Sequence, residues 1–250
     1  DFIDRSDTYY QGAREIITDR KKITDLFKLI HKLQGRYKYV MCDIILDDET
    51  RYDSVLASIL KGMPNVIFPS YFDDGALIQP VLPVHNGVIQ YKFVEGGFSK
   101  FQICFGDSAK SLPVEMYEDI SGTRFYKKCG LIYADGRFTF NTIIPELYIR
   151  NADLKREGNL TDEANLFYLG ALLIDSANYI NYLRDKYIII GNFEQDIHKT
   201  YLGDIPGPLI LFNSFITLQE KKYDIQWSWL FMVFSFYVLI TIHIMYSSPY

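Results

Sequence analysis

The chain has few of the residues that build disulfide frameworks. Its 250 residues include three cysteines, Cys42, Cys104 and Cys129, and no Cys-x-x-Cys pair. An odd number of cysteines excludes a complete intrachain framework, although a single bridge remains compatible with it. Cys42 and Cys104 lie in apolar runs, which predicts that both are small buried hydrophobic residues.

Histidine is also scarce. The four histidines are His31, His85, His198 and His243. Structural metal sites need several ligands at short spacing, and only one loop meets this condition, through Glu194, Asp196 and His198. We interpret this loop as a solvated strand end, and we predict no metal site and no other cofactor.

The motifs of common catalytic and phosphate-binding sites are missing as well. The sequence contains no Gly-x-Ser-x-Gly motif, and the stretch EGGFSK at residues 95–100 departs from the glycine-rich phosphate loops. Nucleophilic catalysis needs an activated side chain beside a base. Because no motif supplies such a pair, we predict no catalytic residue and a protein that is not an enzyme.

Positive charge is in short supply. Twenty-six Lys and Arg residues stand against 31 Asp and Glu residues, and the net charge is −5. Since the basic residues are dispersed and form no patch, this balance argues against a nucleic-acid partner. Hydrophobic residues make up 48% of the chain and charged residues 23%, which is typical of a folded protein.

Charged residues are absent altogether from one segment near the C-terminus. Residues 227–246 read WSWLFMVFSFYVLITIHIMY, and at about 1.5 Å per residue they span the roughly 30 Å hydrocarbon core of a bilayer. Trp227 and Trp229 lie at one end, and Tyr246 and Tyr250 at the other, as interfacial aromatic belts require. The alternative is a buried core helix.

This segment divides the chain into three parts. We predict a folded domain over residues 1–224, a transmembrane helix over 225–247 and a short tail over 248–250. The basic pair Lys221 and Lys222 precedes the span, and the positive-inside rule alone would place the large domain in the cytoplasm.

The folded part begins with alternating helix and strand patterns. Apolar residues at helical spacing predict a first helix between Asp19 and Gly35. The pattern then predicts a strand over residues 37–47, a helix over 50–62, a strand over 65–72 and, much later, a strand over 187–191. Such alternation favours an α/β fold, with a mixed sheet that has parallel core strands and helices on its faces.

The middle of the chain follows a different pattern. Residues 73–144 combine many glycines and prolines with short aromatic and β-branched runs, which predicts an antiparallel hairpin excursion. Asp135-Gly136 is a strong signal for the turn of one hairpin. Near the C-terminus we predict a continuous helical face over 166–180, a surface loop over 192–204, and an apolar segment over 209–218 with a buried Asn213.

Acidic residues follow the predicted parallel strands. The carboxyl ends of such strands commonly form ligand sites, so Asp43, Asp47 and Asp74 are candidates to line a pocket. The alternative is that these acids cap the helices that follow. If Glu194, Asp196 and His198 have a role, we expect contact with a ligand or partner.

The segment IIIGNFEQDIHKTYLGDIPGPLILFNSFITL, residues 188–218, resembles the closing signature of CHASE domains of the second type. These are cyclase- and histidine-kinase-associated sensory extracellular domains. The shared features are an apolar strand ending at Gly191, a loop with Asp196 and His198, a Leu202-Gly203 step, Pro206-Gly207, and an apolar helix with Asn213.

Two further stretches are similar to the family in the same order. YVMCDIILD resembles the family's strand through Asp43 and Ile44, and GLIYADGRF resembles its hairpin through Asp135, Gly136 and Arg137. The resemblance covers about residues 12–246. The family usually ends in about three membrane helices and a cytoplasmic output domain. The sequence here has one span, so the resemblance implies a truncated or missing output region.

The resemblance implies a bacterial membrane-anchored sensory or ligand-binding module. Its large domain would lie outside the cytoplasm, in the periplasm, and pass a signal through one membrane helix to other membrane proteins or a second copy. The ligand is unknown. The alternative is a non-enzymatic structural or accessory subunit of a membrane complex. A third reading, a membrane-tethered hydrolase, lacks a recognisable nucleophile.

Overall fold

The structure, a computed structural model, describes residues 3–4, 17–94, 97–106, 108–156, 160, 164–201, 203–225 and 227–247. The predicted tail over 248–250 lies outside these residues, as does Leu202 of the family signature.

The described residues form short strands and helices in the following order. The strands are β1 (Ile3–Asp4), β2 (Ile17–Thr18), β3 (Tyr39–Cys42), β4 (Val66–Asp73), β5 (Ala76–Ile78), β6 (Asn86–Val88), β7 (Tyr91–Val94), β8 (Gly97–Gln102), β9 (Cys104–Phe105), β10 (Ala109–Lys110), β11 (Phe125–Lys128), β12 (Leu131–Ala134), β13 (Arg137–Thr139), β14 (Thr142–Ile143), β15 (Tyr187–Ile190), β16 (Ile197–Thr200) and β17 (Gly203–Pro206). The α-helices are α1 (Arg20–His31), α2 (Asp53–Leu60), α3 (Leu112–Ser121), α4 (Leu169–Ile174), α5 (Ser176–Tyr179), α6 (Gly207–Gln219) and α7 (Trp227–Ser247).

A mixed sheet with parallel core strands lies at the centre, as the helix and strand pattern predicts. β15 pairs with β3, β3 with β4, and β4 with β6, all in parallel, while β5 adds an antiparallel edge to β4. The register places Val40 beside Ile188 and Val66. The hydrogen bonding between β3 and β15 continues one residue past the end of β3, because the Asp43 N–H donates to the Ile190 carbonyl at 2.6 Å.

Two hydrophobic cores form on the two faces of this sheet. Side chains alternate along a strand, so Val40 and Cys42 face one core while Tyr39 and Met41 face the other. The first core is closed by α1, α2 and α4. The second is closed by α3, α6 and the β11–β12–β13 sheet. The prediction that Cys42 and Cys104 are buried is confirmed.

The predicted hairpin at Asp135-Gly136 is confirmed. It joins β12 to β13, and both turn residues have positive φ, 49° for Asp135 and 79° for Gly136. Such a turn favours Asp or Asn followed by Gly. β11 extends the hairpin to a three-stranded antiparallel sheet.

Two predicted segments differ from the structure. Within the predicted loop over 192–204, β16 pairs with the antiparallel strand β17 and touches β8 in parallel at Thr200. The predicted helical face over 166–180 is broken into α4, α5 and a short 3-10 helix, Ile180–Leu183. The break falls at Asp175, whose carboxylate accepts from Asn178 Nδ2 at 2.9 Å. Such local side-chain bonds compete with a continuous helix.

Helix α6 lies inside the protein and α7 outside it. Asn213 of α6 is fully buried, as predicted, and its side chain holds both backbone groups of Ile149, at 2.9 and 2.8 Å. By contrast, the apolar window in α7 has none of its residues buried, and it is long enough to cross a membrane. A bare apolar helix of this length is typical of a membrane anchor.

Glu118 of α3 is a buried charge that joins three segments. It is 1% exposed, and its carboxylate accepts from Lys110 Nζ at 2.8 Å, Arg124 Nη1 at 3.0 Å and the Phe125 N–H at 2.5 Å. These contacts fix β10 and the start of β11 against α3. The hydrogen bonds and nearby cations offset the cost of burying the charge.

We expect Glu118→Gln to lower the free energy of unfolding by about 2–4 kcal/mol, because it leaves Lys110 without its anion and Phe125 N–H with a weaker acceptor. Urea denaturation of the full chain in detergent micelles measures the change. The matched control is Asp25→Asn, which breaks an exposed pair with Lys28 at 2.9 Å; it should cost no more than about 0.5 kcal/mol. Equal effects of the two variants would contradict the assigned role of Glu118.

Candidate functional site

A cleft of about 610 Å³ opens between the end of β3, strand β4, the β7–β8 hairpin and the start of β16. One end of its wall is acidic and the rest is largely aromatic and amide-bearing. The lining residues are Asp43, Ile45, Tyr71, Ile89, Gln90, Tyr91, Gln102, Phe105, Asp196 and His198. The volume is that of a small-molecule site.

Asp43 is the acid at the floor of the cleft. It directly follows β3 and continues the alternation that turns Met41 toward α6, so its carboxyl points to the same side of the sheet. Burial and, next, the charge of Asp196 raise the pKa of Asp43 to about 7, while His198 acts in the opposite direction. The carboxyl therefore exchanges its proton near neutral pH.

Asp196 and His198 form an ion pair beside Asp43. His198 Nε2 lies 2.9 Å from Asp196 Oδ1. The hydrogen bond to Asp196 raises the pKa of His198, burial lowers it, and the charge of Asp43 adds to the rise. Asp196 directly precedes β16 and His198 is the second residue of that strand, so the ion pair lies at the start of β16.

Tyr91 completes this polar end. Its ring meets the His198 ring edge-on at 6.0 Å and the Phe98 ring at 4.9 Å. Burial, and then the charges of Asp43 and Asp196, raise the pKa of Tyr91 well above its ordinary value. Tyr91 thus stays a neutral phenol beside the two acids.

The first turn of α6 is pressed against the cleft. A Cβ at Gly207 would overlap the Asp196 carboxylate and come within 3.2 Å of His198 Nε2, and a Cβ at Gly191 would overlap Pro208. The Gly207 N–H donates to the Asp196 carbonyl at 2.8 Å. Pro206 and Pro208 carry no N–H, so this end of the helix has few donors left to satisfy.

The arrangement suits proton exchange and cation binding. The Asp43 carboxyl, whose pKa is raised to about 7, lies beside the Asp196 carboxyl and the His198 imidazole, and a cation entering the cleft would favour ionisation of Asp43. The lining residues include no serine, threonine, cysteine or lysine, the side chains most often activated as nucleophiles. Within the described ranges, no group of three or more His, Cys, Asp or Glu side chains could hold a metal ion.

Three of the six candidate residues meet in the cleft and three lie outside its wall. Asp43, Asp196 and His198 come together, although 153 positions separate Asp43 from Asp196. Asp47 is exposed, and its carboxylate accepts a hydrogen bond from the Tyr71 hydroxyl at 2.7 Å. Asp47 is therefore next to a residue that lines the cleft but does not line the cleft itself.

The other two candidates serve local structure. Asp74 sits at the β4–β5 turn with φ 44° and is exposed. Glu194 is exposed and accepts from the Tyr168 hydroxyl at 2.8 Å. Of the three acids predicted to line a pocket together, Asp43 lines this cleft, and Asp47 and Asp74 do not.

The sequence analysis does not predict the aromatic and amide side chains that line the cleft. Tyr71 comes from β4, while Gln90, Tyr91 and Gln102 come from the β7–β8 hairpin and its approach. This hairpin pairs antiparallel, and β8 touches β16. The alternation in VIQYKFV signals a strand, but nothing in it shows which strand lies beside it.

Comparison with protein-family models finds no match, and no curated protein or solved structure matches the chain significantly. The resemblance to CHASE domains therefore remains a prediction from the residues.

Stability should fall as the pH rises from about 5 to 8. The folded state holds the Asp43 proton up to about pH 7, whereas an unfolded carboxyl releases it near 4, so each step of pH within that window favours unfolding. His198 has a raised pKa in the folded state; its contribution is present below about 6.5 and is lost as the pH passes its folded pKa.

We expect the melting temperature of the full chain in micelles to drop by several degrees between pH 5 and 8. Asp43→Asn should remove most of the drop below pH 7 and leave the part due to His198. Asp74→Asn, at the exposed turn, is the control and should keep the wild-type slope. A slope unchanged by Asp43→Asn would show that another group causes it.

Proposed function

We propose that the chain is a membrane-anchored sensory module of the CHASE type, which binds a small ligand in the cleft outside the cytoplasm. The observation that carries this proposal is the contact between the cleft acids and the first turn of α6, since α6 leads to the membrane helix.

The route from the cleft to the membrane is short. Asp196 and His198 touch Gly207, the first residue of α6, and α6 is almost entirely buried along its 13 residues. After its end at Gln219, the chain is held by the Tyr223 hydroxyl, 3.1 Å from that of Tyr117, and reaches Trp227 of α7 within eight residues. A change at Gly207 is thus transmitted by a packed helix.

The lining favours a small organic cation. Two acids, Asp43 and Asp196, lie at one end, and the aromatic rings of Tyr71, Tyr91 and Phe105 form walls. Carboxylates neutralise an ammonium group, and aromatic faces attract it further. A cation would also relieve the repulsion between the two acids, which after burial is the second cause of the raised pKa of Asp43.

Signalling requires more than binding. A ligand shifts an equilibrium only by its difference in affinity for the two conformers. The ion pair of Asp196 with His198 is the element that responds, because a cation near Asp196 competes with the imidazolium. We expect the first turn of α6 to take one position when Asp196 is paired with His198 and another when a cation has displaced His198.

Small amines should stabilise the protein. The full chain in micelles is melted with spermidine or choline at pH 7.5, and with glycerol or acetate as neutral and anionic comparisons. An amine present at about 100 times its dissociation constant adds about 2.7 kcal/mol to the folded state. We expect a rise in melting temperature with at least one amine, and none with glycerol or acetate.

Two variants test whether the amine binds in the cleft. Asp196→Asn should abolish the amine-dependent rise, whereas Asp74→Asn, with its carboxyl outside the cleft wall, should retain it. Hydrogen exchange over residues 207–225 should change on amine binding. A rise that survives Asp196→Asn, or no rise with any amine, would contradict this ligand chemistry. An accessory subunit would show no response in residues 207–225.

A further inference from the structure

The β11–β12–β13 sheet has one face in the core and one in solvent. Phe125, Ile132, Ala134 and Thr139 are buried on the inner side. The outer side carries Tyr126, Leu131, Tyr133 and Phe138, with Lys128 opposite Leu131, and Phe140 directly follows β13. The five apolar residues Tyr126, Leu131, Tyr133, Phe138 and Phe140 are here called the aromatic face. Tyr126, Leu131 and Phe140 are exposed by 44%, 45% and 62%. A contiguous apolar patch of this kind commonly marks an interaction surface.

The aromatic face is ordered as a ladder. Tyr126, Tyr133 and Phe138 are paired in register across the three strands. The Tyr126 and Tyr133 rings stack at 5.6 Å, Tyr133 meets Phe138 at 6.5 Å, and Phe138 meets Phe140 edge-on at 5.6 Å. The rings therefore pack against one another and form a preformed surface that needs little ordering on contact.

The sheet is tied to the segment that enters the membrane helix. Arg137 pairs with Asp224, and the Thr139 hydroxyl donates to the Tyr223 carbonyl at 2.6 Å. From Asp224 to Trp227 the chain advances three residues, which span at most about 11 Å. Because the Arg137 side chain contacts Asp224, the end of β13 at Arg137 lies near the start of α7 and near the bilayer that α7 crosses.

The chemistry of the face matches the water–lipid boundary. Tyrosine, phenylalanine and leucine are favoured there, with apolar rings in the acyl region and hydroxyls at the headgroups. Residues 125–140 and 220–225 carry five basic and three acidic side chains, in a chain of net charge −5. This part of the protein therefore does not repel anionic headgroups, and the apolar rings supply the main attraction.

We propose that the aromatic face docks on the bilayer surface next to α7 and fixes the orientation of the folded domain. The proposal rests on α7 as the membrane anchor. A second copy of the chain is the other occupant to test. We favour the bilayer over a second copy because the contacts of Tyr223 and Asp224 hold the aromatic face near the membrane in each single chain.

Cys129 provides a reporter at the far end of the sheet. It is exposed in the β11–β12 turn, whereas Cys42 and Cys104 are buried. An environment-sensitive fluorophore on Cys129 is followed in the full chain reconstituted in phosphatidylcholine vesicles, with and without doxyl-labelled lipid. If the aromatic face docks, the doxyl lipid should quench the fluorescence at least two-fold, both in neutral vesicles and at high salt.

The matched variants separate docking from anchoring. The double variant Phe138→Ser, Phe140→Ser should remove most of the quenching, while Ile174→Ser, at an 89% exposed residue of α4, should leave it unchanged. Flotation of the chain with the vesicles measures anchoring by α7 independently of docking by the aromatic face.

Three results would overturn the proposal. A chain that floats without quenching keeps its anchor but does not dock. Self-quenching that rises with the protein-to-lipid ratio, without quenching by lipid, would assign the face to a second copy. A chain that does not float has no bilayer beside the face. None of these outcomes bears on amine binding in the cleft, so failure of docking is distinct from failure of the ligand proposal.

Discussion

The close approach of Gly207 to Asp196 and His198 organises the rest of the site. It allows α6 to begin directly against β16, with no side chain between the helix and the ion pair. The same turn seats Pro208 over Gly191 at the end of β15. The sequence Pro-Gly-Pro suits this position, because the prolines remove N–H groups that would need acceptors and the glycine removes the Cβ that would collide.

The contact joins two sheets that would otherwise be separate. Gly191 and Asp43 directly follow strands of the parallel sheet, whereas Asp196 directly precedes β16 and His198 lies in β16 of the β14–β8–β16–β17 sheet. Where they meet, two acids share one partly buried space with a single imidazole. Charge is therefore poorly balanced when Asp43 ionises, and a proton or an organic cation restores the balance. Under the proposed sensory function, this imbalance is what would make the cleft respond to a ligand, and α6 would carry the response toward α7.

Sequence reasoning predicts the parts of this architecture that have a local cause. The parallel core strands, the Asp135-Gly136 turn, the buried Asn213 and the bare apolar helix each follow from periodicity or turn chemistry. Asp43, Asp196 and His198 were found because they follow apolar strands. Asp47 and Asp74 follow strands too, yet short turns direct them away, and no pattern of residue types specifies that direction.

The features that the sequence does not predict depend on pairing between segments that are distant along the chain. β16 and β17 lie in a stretch rich in polar residues, and their pairing is stabilised by Ile205, which packs into a small core with Phe98 and Leu209. Tyr91 reaches the cleft only because β7 pairs with β8 and β8 with β16. Strand order of this kind depends on packing far along the chain, so the aromatic wall becomes apparent only in the structure.

The substitution Gly207→Ala tests the central contact most directly, with Gly170→Ala as its control. A Cβ at Gly170 of α4 meets nothing within 4 Å. Melting of the full chain in micelles is measured for both variants at pH 6 and pH 8. We predict that Gly207→Ala lowers the melting temperature at pH 6 by several degrees and reduces the difference between the two pH values, because it pushes Asp196 away from Asp43. Gly170→Ala should melt no lower than the wild type, because alanine favours a helix more than glycine does, and should keep the wild-type pH dependence. A Gly207→Ala variant with wild-type melting and wild-type pH dependence would contradict the account.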